Sequence, residues 1–155
     1  QLLSNTHKLL INRDHWLLNP LHAVQNNATY MLQGDEGILE TDQFRLRWKV
    51  YLEEPFPIIS TAPHEATLGI PSNCQEISLR FWKEGDRFFP LGMKGEKKLS
   101  DFFIDKKIDL DQKSQIPLLC VDGNIAWVCG LRPSEDYKHS KYAQKVLWAY
   151  FERRA

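Results

Sequence analysis

The chain has 155 residues, 43% of them hydrophobic and 26% charged, and its formal net charge is zero. These values are typical of a globular protein and exclude intrinsic disorder, while the neutral balance excludes a protein that covers nucleic acid by bulk charge. Three cysteines without CxxC spacing indicate neither a disulfide framework nor a zinc knuckle. Since there is no signal peptide and no apolar run of about 18 residues, we expect a cytoplasmic protein with no membrane contact.

The first part of the chain predicts short antiparallel strands. Apolar runs at 8–11 and 16–18 flank the polar residues 12–14, which indicates a hairpin. A short strand is expected at 29–33, and apolar residues at every second position over 44–52 predict a strand with one buried face. The outer face of this last strand carries a row of bases that either face solvent or touch RNA; they are Arg45, Arg47 and Lys49.

Four prolines interrupt the chain between residues 53 and 73, where no apolar period remains. We interpret this stretch as a linker that ends at a lobe boundary near 72–76. The sequence therefore predicts an N-terminal lobe at 1–72 and a second domain at 73–155. The chain begins at Gln1 rather than at a methionine, which indicates a piece of a longer protein.

The densest local signals lie between Leu79 and Ile108. An alternating strand at 77–82 is followed by glycine-bearing turns and by the pair Lys97–Lys98. From Leu99 the apolar spacing changes to that of a helix of two to three turns, with Ser100 or a nearby backbone group as the N-cap. Residues 31–79 hold eight acids and three bases, whereas 80–107 hold eight bases and five acids, so positive charge is concentrated here.

The loop 92–98 combines two glycines with three lysines ahead of that helix. Backbone N–H groups at a helix N-terminus attract anions, so the loop is a candidate phosphate-binding site. An ordinary solvated loop has the same composition, and this reading stays open. The spacing is not that of a nucleotide P-loop, because Gly95 is followed by Glu96 rather than by Lys and Ser or Thr.

The last third of the chain predicts a capped helical turn at 109–115, then a hairpin whose strands at 118–121 and 125–128 flank Asp122-Gly123-Asn124. Residues 143–152 fit either a helix or a strand buried on both faces, and we favour the strand. The predicted fold class is α+β and mainly β, with two small lobes of antiparallel strands. The second lobe carries one or two short helices on its sheet.

The run from Gly85 to Arg132 resembles the C-terminal domain of bacterial tRNA(Ile)-lysidine synthetases. The matching elements are Gly85-Asp86-Arg87-Phe88, Pro90-Leu91-Gly92-Met93, Gly95, Lys97-Lys98-Leu99-Ser100-Asp101-Phe102-Phe103, Lys107, Pro117-Leu118-Leu119, Trp127-Val128, Gly130 and Arg132. After Arg132 the family carries an aliphatic residue and an acid, whereas Pro133-Ser134 intervene here. Residues 1–66 match only weakly.

The resemblance implies a parent ligase that uses ATP, with Mg, to join lysine to the wobble cytidine of isoleucine tRNA. Its catalytic SGGxDS loop is missing from these residues, so we expect no catalytic, cofactor-binding or metal-binding residue in this chain. The expected partners are isoleucine tRNA on its acceptor-stem side and the N-terminal catalytic domain of the same protein. A homodimer is possible.

Two functions fit these expectations. In the first, bases around the loop bind the tRNA backbone. In the second, the domain is a structural lobe that docks on the catalytic domain without touching RNA, Asp86 and Arg87 form a turn-stabilising ion pair, and Phe88, Phe102 and Phe103 are core residues. The sequence does not support an independent enzyme, because no nucleophile and base occur at the spacing of a catalytic motif. The RNA-binding candidates are Lys94, Lys97, Lys98, Lys107, Arg87 and Lys83.

Overall fold

The computed structural model describes residues 27–154 in full and three earlier strands as backbone, namely β1 (Leu2–Leu3), β2 (His7–Asn12) and β3 (His15–Pro20). β2 and β3 pair antiparallel from His7 opposite Pro20 to Asn12 opposite His15. This confirms the first predicted hairpin. Its turn residues Arg13 and Asp14 lie outside the described residues.

Residues 27–154 form eleven strands, two short helices and a 3-10 turn at Glu135–Tyr137. The mainly β class is therefore confirmed. The elements are β4 (Thr29–Met31), β5 (Glu36–Glu40), β6 (Phe44–Tyr51), β7 (Glu65–Ile70), β8 (Ile77–Arg80), β9 (Arg87–Phe88), β10 (Lys97–Lys98), α1 (Leu99–Asp105), α2 (Leu110–Lys113), β11 (Leu118–Val121), β12 (Asn124–Val128), β13 (Arg132–Pro133) and β14 (Lys145–Arg153).

Two larger antiparallel sheets make up the body of these residues. One has the order β5-β6-β14-β7 and the other the order β13-β12-β11-β8-β4, while β9 and β10 form a separate ribbon. Asp122 and Gly123 have φ values of 49° and 85°, which gives the two-residue turn that the sequence predicted between β11 and β12. The strand predicted at 143–152 is β14, which lies between β6 and β7.

The five-stranded sheet is buried on both faces. Along β11, Leu119 and Val121 belong to the core shared with the four-stranded sheet, while Leu118 and Cys120 belong to a second core under α1. Because side chains alternate between the faces of a strand, β11 needs apolar residues at every position. The short helix α1 is held on this sheet by the second core.

Three expectations require correction. Residues 53–73 are not a linker throughout, because β7 occupies 65–70 and buries Ala66 and Leu68 in the main core. Ser100 does not cap α1, since it lies inside the helix and the N-cap is Lys98, whose side chain makes no capping bond.

Strands also cross the boundary placed at residue 72, because β4 pairs with β8, and β14 pairs with β6 and β7.

Among the described residues, no helix is both long and apolar enough to cross a membrane. The two α-helices have seven and four residues. The second begins with a capping box, in which the Asp109 side chain accepts from the Gln112 backbone and the Gln112 side chain accepts from the Asp109 N–H. This confirms the helical turn expected at 109–115.

Candidate nucleic-acid interface

The basic loop between β9 and β10 is anchored by aromatic packing below it. Phe88, Phe102 and Phe103 are all buried, and the rings of Phe88 and Phe102 meet edge to face with centroids 5.1 Å apart. Burying each such ring contributes about 1.5–3 kcal/mol to folding. These phenylalanines are therefore core residues, as expected, and they hold the ribbon and α1 against the five-stranded sheet.

Asp86 fixes the turn that leads into β9. Its two carboxylate oxygens accept hydrogen bonds from Arg80 Nη1 at 2.9 Å and Nη2 at 3.0 Å, and one also accepts from the Lys83 N–H at 2.8 Å. The Asp86 carbonyl accepts from the Leu99 N–H at 2.9 Å, which ties the turn to α1. The expected pair of Asp86 with Arg87 is therefore wrong, since the cation beside Asp86 is Arg80.

Two of the six candidate bases are neutralised locally. Arg87 Nε donates to Glu96 Oε1 at 2.7 Å, and Lys97 Nζ forms an ion pair with the carboxylate of Asp105. The Arg87–Glu96 pair crosses the ribbon, while the Lys97–Asp105 pair joins β10 to the end of α1. Both cations consequently have a structural role that the sequence alone did not indicate.

The other four candidates have exposed side chains without an ion pair to any residue from 27 to 154. Consecutive strand residues point to opposite faces, so Lys97 and Lys98 diverge instead of forming one cluster. In the ribbon, Lys98 lies opposite Arg87 and Lys97 lies opposite Phe88. The four exposed bases are Lys83, Lys94, Lys98 and Lys107.

One backbone N–H group at the start of α1 is not available to an anion. The Leu99 N–H already donates to Asp86, and Asp101 places a negative charge in the first turn of α1. What remains is an exposed loop in which Gly92 takes a φ of 86°, a conformation that favours glycine. Lys94 and Lys98 are exposed beside it, whereas the Leu99 N–H is already occupied.

Three bases beyond the predicted set extend the positive surface around the helices. Lys106 Nζ and the Arg132 guanidinium each lie 5.8 Å from the Phe102 ring centroid, and Lys113 Nζ lies 3.9 Å from that of Trp82. The spacing of four residues between Phe102 and Lys106 is a helix signal that the sequence contains. Nothing local in the sequence places Arg132 beside Phe102.

The basic row on β6 contacts its own sheet. Arg45 is bonded to Glu40 at 2.9 Å, and the Arg47 guanidinium lies 4.9 Å from the Tyr150 ring centroid. Lys49 Nζ lies 5.0 Å from the Tyr51 centroid. The row therefore covers the outer face of the four-stranded sheet, and it lies on a different element from the β9–β10 loop.

Burial affects all three cysteine thiols. Burial raises the pKa of Cys120 to about 11 and raises that of Cys129 well above its ordinary value, so both thiols are neutral near pH 7. Burial also raises the pKa of Cys74. Between residues 27 and 154, no group of three His, Cys, Asp or Glu side chains is placed to hold a metal ion.

Comparison with known proteins identifies a family for the second half of the chain. Residues 77–149 match the family model described as the TilS substrate C-terminal domain. The chain is 46% identical over 77 residues to the tRNA(Ile)-lysidine synthase of Clostridium acetobutylicum, covering 50% of this chain and 17% of that protein. It is 34% identical over 148 residues to the enzyme of the same name from Parabacteroides distasonis, covering 96% of this chain and 33% of that protein.

The fold is shared with a solved structure titled "Crystal structure of TILS C-terminal domain", at a TM-score of 0.70 and 20% identity. The superposition covers 83% of this chain and 98% of the other. The chain thus spans a third or less of the length of the two relatives named above. Residues 77–149 belong to the TilS substrate C-terminal domain family, the C-terminal domain of tRNA(Ile)-lysidine synthases.

Proposed function

We propose that this chain is the tRNA-binding, non-catalytic part of an ATP-dependent ligase that joins lysine to the wobble cytidine of isoleucine tRNA. The observation that carries the proposal is the exposure of Lys94, Lys98 and Lys107 without an ion pair in residues 27–154. Lysine side chains in this state bind phosphates at little cost, because no existing pair has to be broken.

In this proposal the domain contacts the acceptor-stem side of the tRNA through its backbone. A-form RNA presents phosphates and 2′-hydroxyls rather than readable base edges, which suits separated lysines on an exposed ribbon. ATP, Mg and the chemistry belong to an N-terminal catalytic domain of the same cytoplasmic protein, and the chain alone is inactive. A homodimer is compatible with this arrangement.

The test removes two exposed positive charges from the loop. Lys94→Ala combined with Lys98→Ala is expected to weaken binding of isoleucine tRNA about tenfold and to lower the slope of log K against log salt by about 1 per lysine. Gel shifts or fluorescence anisotropy at several salt concentrations measure both quantities. The matched control is Lys141→Ala combined with Arg153→Ala, which removes the same charge from exposed residues elsewhere.

A docking lobe is the second candidate function. The residues that favour it are Ile104, which is 69% exposed on α1, and Leu110, which is 52% exposed on α2. Apolar side chains on an exposed helix face suit contact with another domain. If the double lysine variant binds tRNA with the affinity and salt slope of the unchanged chain, backbone binding by this loop is refuted and docking is the better account.

A further inference from the structure

The helix α1 contains no basic residue but has lysines at both of its ends. Lys98 is the N-cap, Lys106 is the C-cap, and Lys107 follows. The side chains of Lys98 and Lys107 are exposed and form no ion pair with any residue from 27 to 154. At 1.5 Å per residue, the helix places the two positions about 13 Å apart along its axis. Positive charge is therefore presented at two separate points.

The backbone at the C-terminal end of α1 is fixed by two hydrogen bonds. The Lys107 N–H donates to the Ile104 carbonyl and the Ile108 N–H donates to the Phe103 carbonyl, each at 2.9 Å. This pair of bonds is a Schellman motif, and the side chain of Ile108 packs against the second core as such a motif requires. The Lys107 side chain consequently leaves the backbone at a fixed point, although its own atoms are exposed.

Lys107 adopts a left-handed conformation that favours glycine. Its φ is 58°, and Asp122, at 49°, is the only other non-glycine residue with a positive φ in the described part of the chain. Asp122 has a local reason for this conformation, because its carboxylate accepts hydrogen bonds from the Gln75 and Glu76 N–H groups at 3.0 Å each. No side-chain bond of this kind is present at Lys107 within residues 27–154. A glycine would occupy position 107 with less strain, so the lysine costs stability.

The exposed surface of α1 between the lysines is acidic. Asp105 is paired with Lys97, whereas the exposed Asp101 carboxylate has no ion pair or hydrogen bond to another described residue. A single RNA strand that followed α1 from Lys98 to Lys107 would bring its phosphates close to Asp101, and like charges repel. A double helix presents two rows of phosphates with a groove between them. Each lysine can then meet one row while Asp101 lies over the groove, where A-form RNA exposes 2′-hydroxyls rather than phosphates.

We propose that α1 lies across a groove of double-helical RNA, with Lys98 and Lys107 on phosphates of opposite strands and with Asp101 disfavouring single strands. The inference rests on the proposed function, because it names the class of RNA that the same site takes. It also adds Asp101 as a residue that determines specificity by repulsion.

The first experiment measures fluorescence anisotropy of the chain with a short RNA duplex and with one strand of that duplex, at several salt concentrations. Lys107→Gly is expected to weaken duplex binding about threefold and to lower the slope of log K against log salt by about 1. The same variant should raise the melting temperature by about 2–4 °C, since it relieves the left-handed strain. A residue with only a structural role would not lower the salt slope while raising the melting temperature.

Asp122→Gly is the matched control for the backbone change. It relieves the same kind of conformation but removes the two bonds to residues 75 and 76, so we expect a lower melting temperature and unchanged duplex binding. Lys107→Arg keeps the positive charge and should bind the duplex with the affinity of the unchanged chain.

The second experiment tests the acid. Asp101→Asn is expected to strengthen binding of the single strand about threefold and to change duplex binding by less than about twofold, which reduces the preference for the duplex. Asp42→Asn, at an exposed position in the turn between β5 and β6, is the matched control and should change neither affinity.

Three results would overturn the proposal. They are a duplex that the unchanged chain binds no more tightly than the single strand, duplex binding that Lys107→Gly leaves unaltered, and equal gains for both RNA forms in Asp101→Asn. Failure of the proposed function is distinguishable, because it is shown by unchanged tRNA binding in Lys94→Ala combined with Lys98→Ala. If that double variant weakens tRNA binding while duplex and single strand respond alike to the other substitutions, only the present inference is wrong.

Discussion

Asp86 connects three parts of the domain, namely β8, the turn that follows it and α1. Its carboxylate joins Arg80 at the end of β8 to the backbone of the turn, and its carbonyl joins the turn to the first residue of α1. The side chains of Arg80 and Asp86 are only 16% and 14% exposed, so solvent screens the pair weakly. The hydrogen bond to Asp86 raises the pKa of Arg80, which keeps the guanidinium charged throughout the usual pH range.

Replacing Asp86 by Asn should therefore destabilise the chain. The substitution keeps the side-chain shape but leaves the Arg80 guanidinium largely buried without a counter-charge, and we expect the free energy of unfolding to fall by about 2 kcal/mol. Urea denaturation followed by circular dichroism measures this change. Glu96→Gln is the control, because it breaks an ion pair whose side chains are 47% and 57% exposed and should cost less than about 1 kcal/mol. Equal losses in the two variants would contradict the argument.

The sequence did not reveal the side-chain directions and ion-pair partners of several charged residues. The charges of Lys97 and Lys98 are visible in the sequence, but their directions are set by the short β9–β10 ribbon, and the partner of Lys97 is Asp105, eight residues later. Likewise, Asp86 stands next to Arg87 in the chain, yet it pairs with Arg80 across the turn. Adjacency in sequence is a weak guide to ion pairs because a strand sends neighbouring side chains to opposite faces.

At the scale of elements, β5 is held to its neighbour by a close approach at Gly37. A Cβ built on this residue would lie 2.6 Å from Cζ2 of Trp48, whose ring is buried and cannot move away without disturbing the core. Gly37→Ala should lower the free energy of unfolding by about 1–3 kcal/mol through overpacking. Gly95→Ala is the matched control, since its Cβ would meet nothing within 4 Å and its φ is not positive, and it should leave stability within about 0.5 kcal/mol. Thermal or urea unfolding of both variants measures these changes. If Gly37→Ala leaves the free energy of unfolding unchanged, the Trp48 ring has room to shift and the argument is wrong.

The elements that could be predicted are those with a strong local signal. The turn residues Asp122-Gly123 correctly predicted the β11–β12 hairpin, and the alternation of apolar residues from Phe44 onward correctly predicted β6. The strand β7 was hidden because prolines surround it and its residues are buried at nearly every position, which gives no period of two. The strand β5 was missed because it is short, its exposed residues are Glu36, Ile38 and Glu40, and the two acids make it resemble a polar loop.

At the scale of the molecule, strands from the two halves of the chain pair with each other in both larger sheets. Strand β14, near the C-terminal end, is the central partner of β6 and β7, and β4 pairs with β8 on the opposite side of residue 72. Phe44 and Phe151 pack in the same core, with ring centroids 5.9 Å apart. The resemblance that the sequence shows covers the second half well, but it cannot reveal that this half completes a sheet begun in the first.

This arrangement predicts that the halves 1–72 and 73–155 do not fold separately. In the second fragment β14 would lose both neighbouring strands and expose Leu147, Ala149 and Phe151, which are buried in the intact chain. We expect each fragment alone to give poorly dispersed amide resonances and no cooperative thermal transition, and a mixture of the two to recover the spectrum of the intact chain. The intact chain with a protease site inserted after residue 72 is the control, because cleavage of the folded protein should leave the two parts associated. A cooperative melt of 73–155 by itself would instead establish the two-domain division expected from the prolines, and would mean that the pairing of β14 with β6 and β7 contributes little to the stability of the second half.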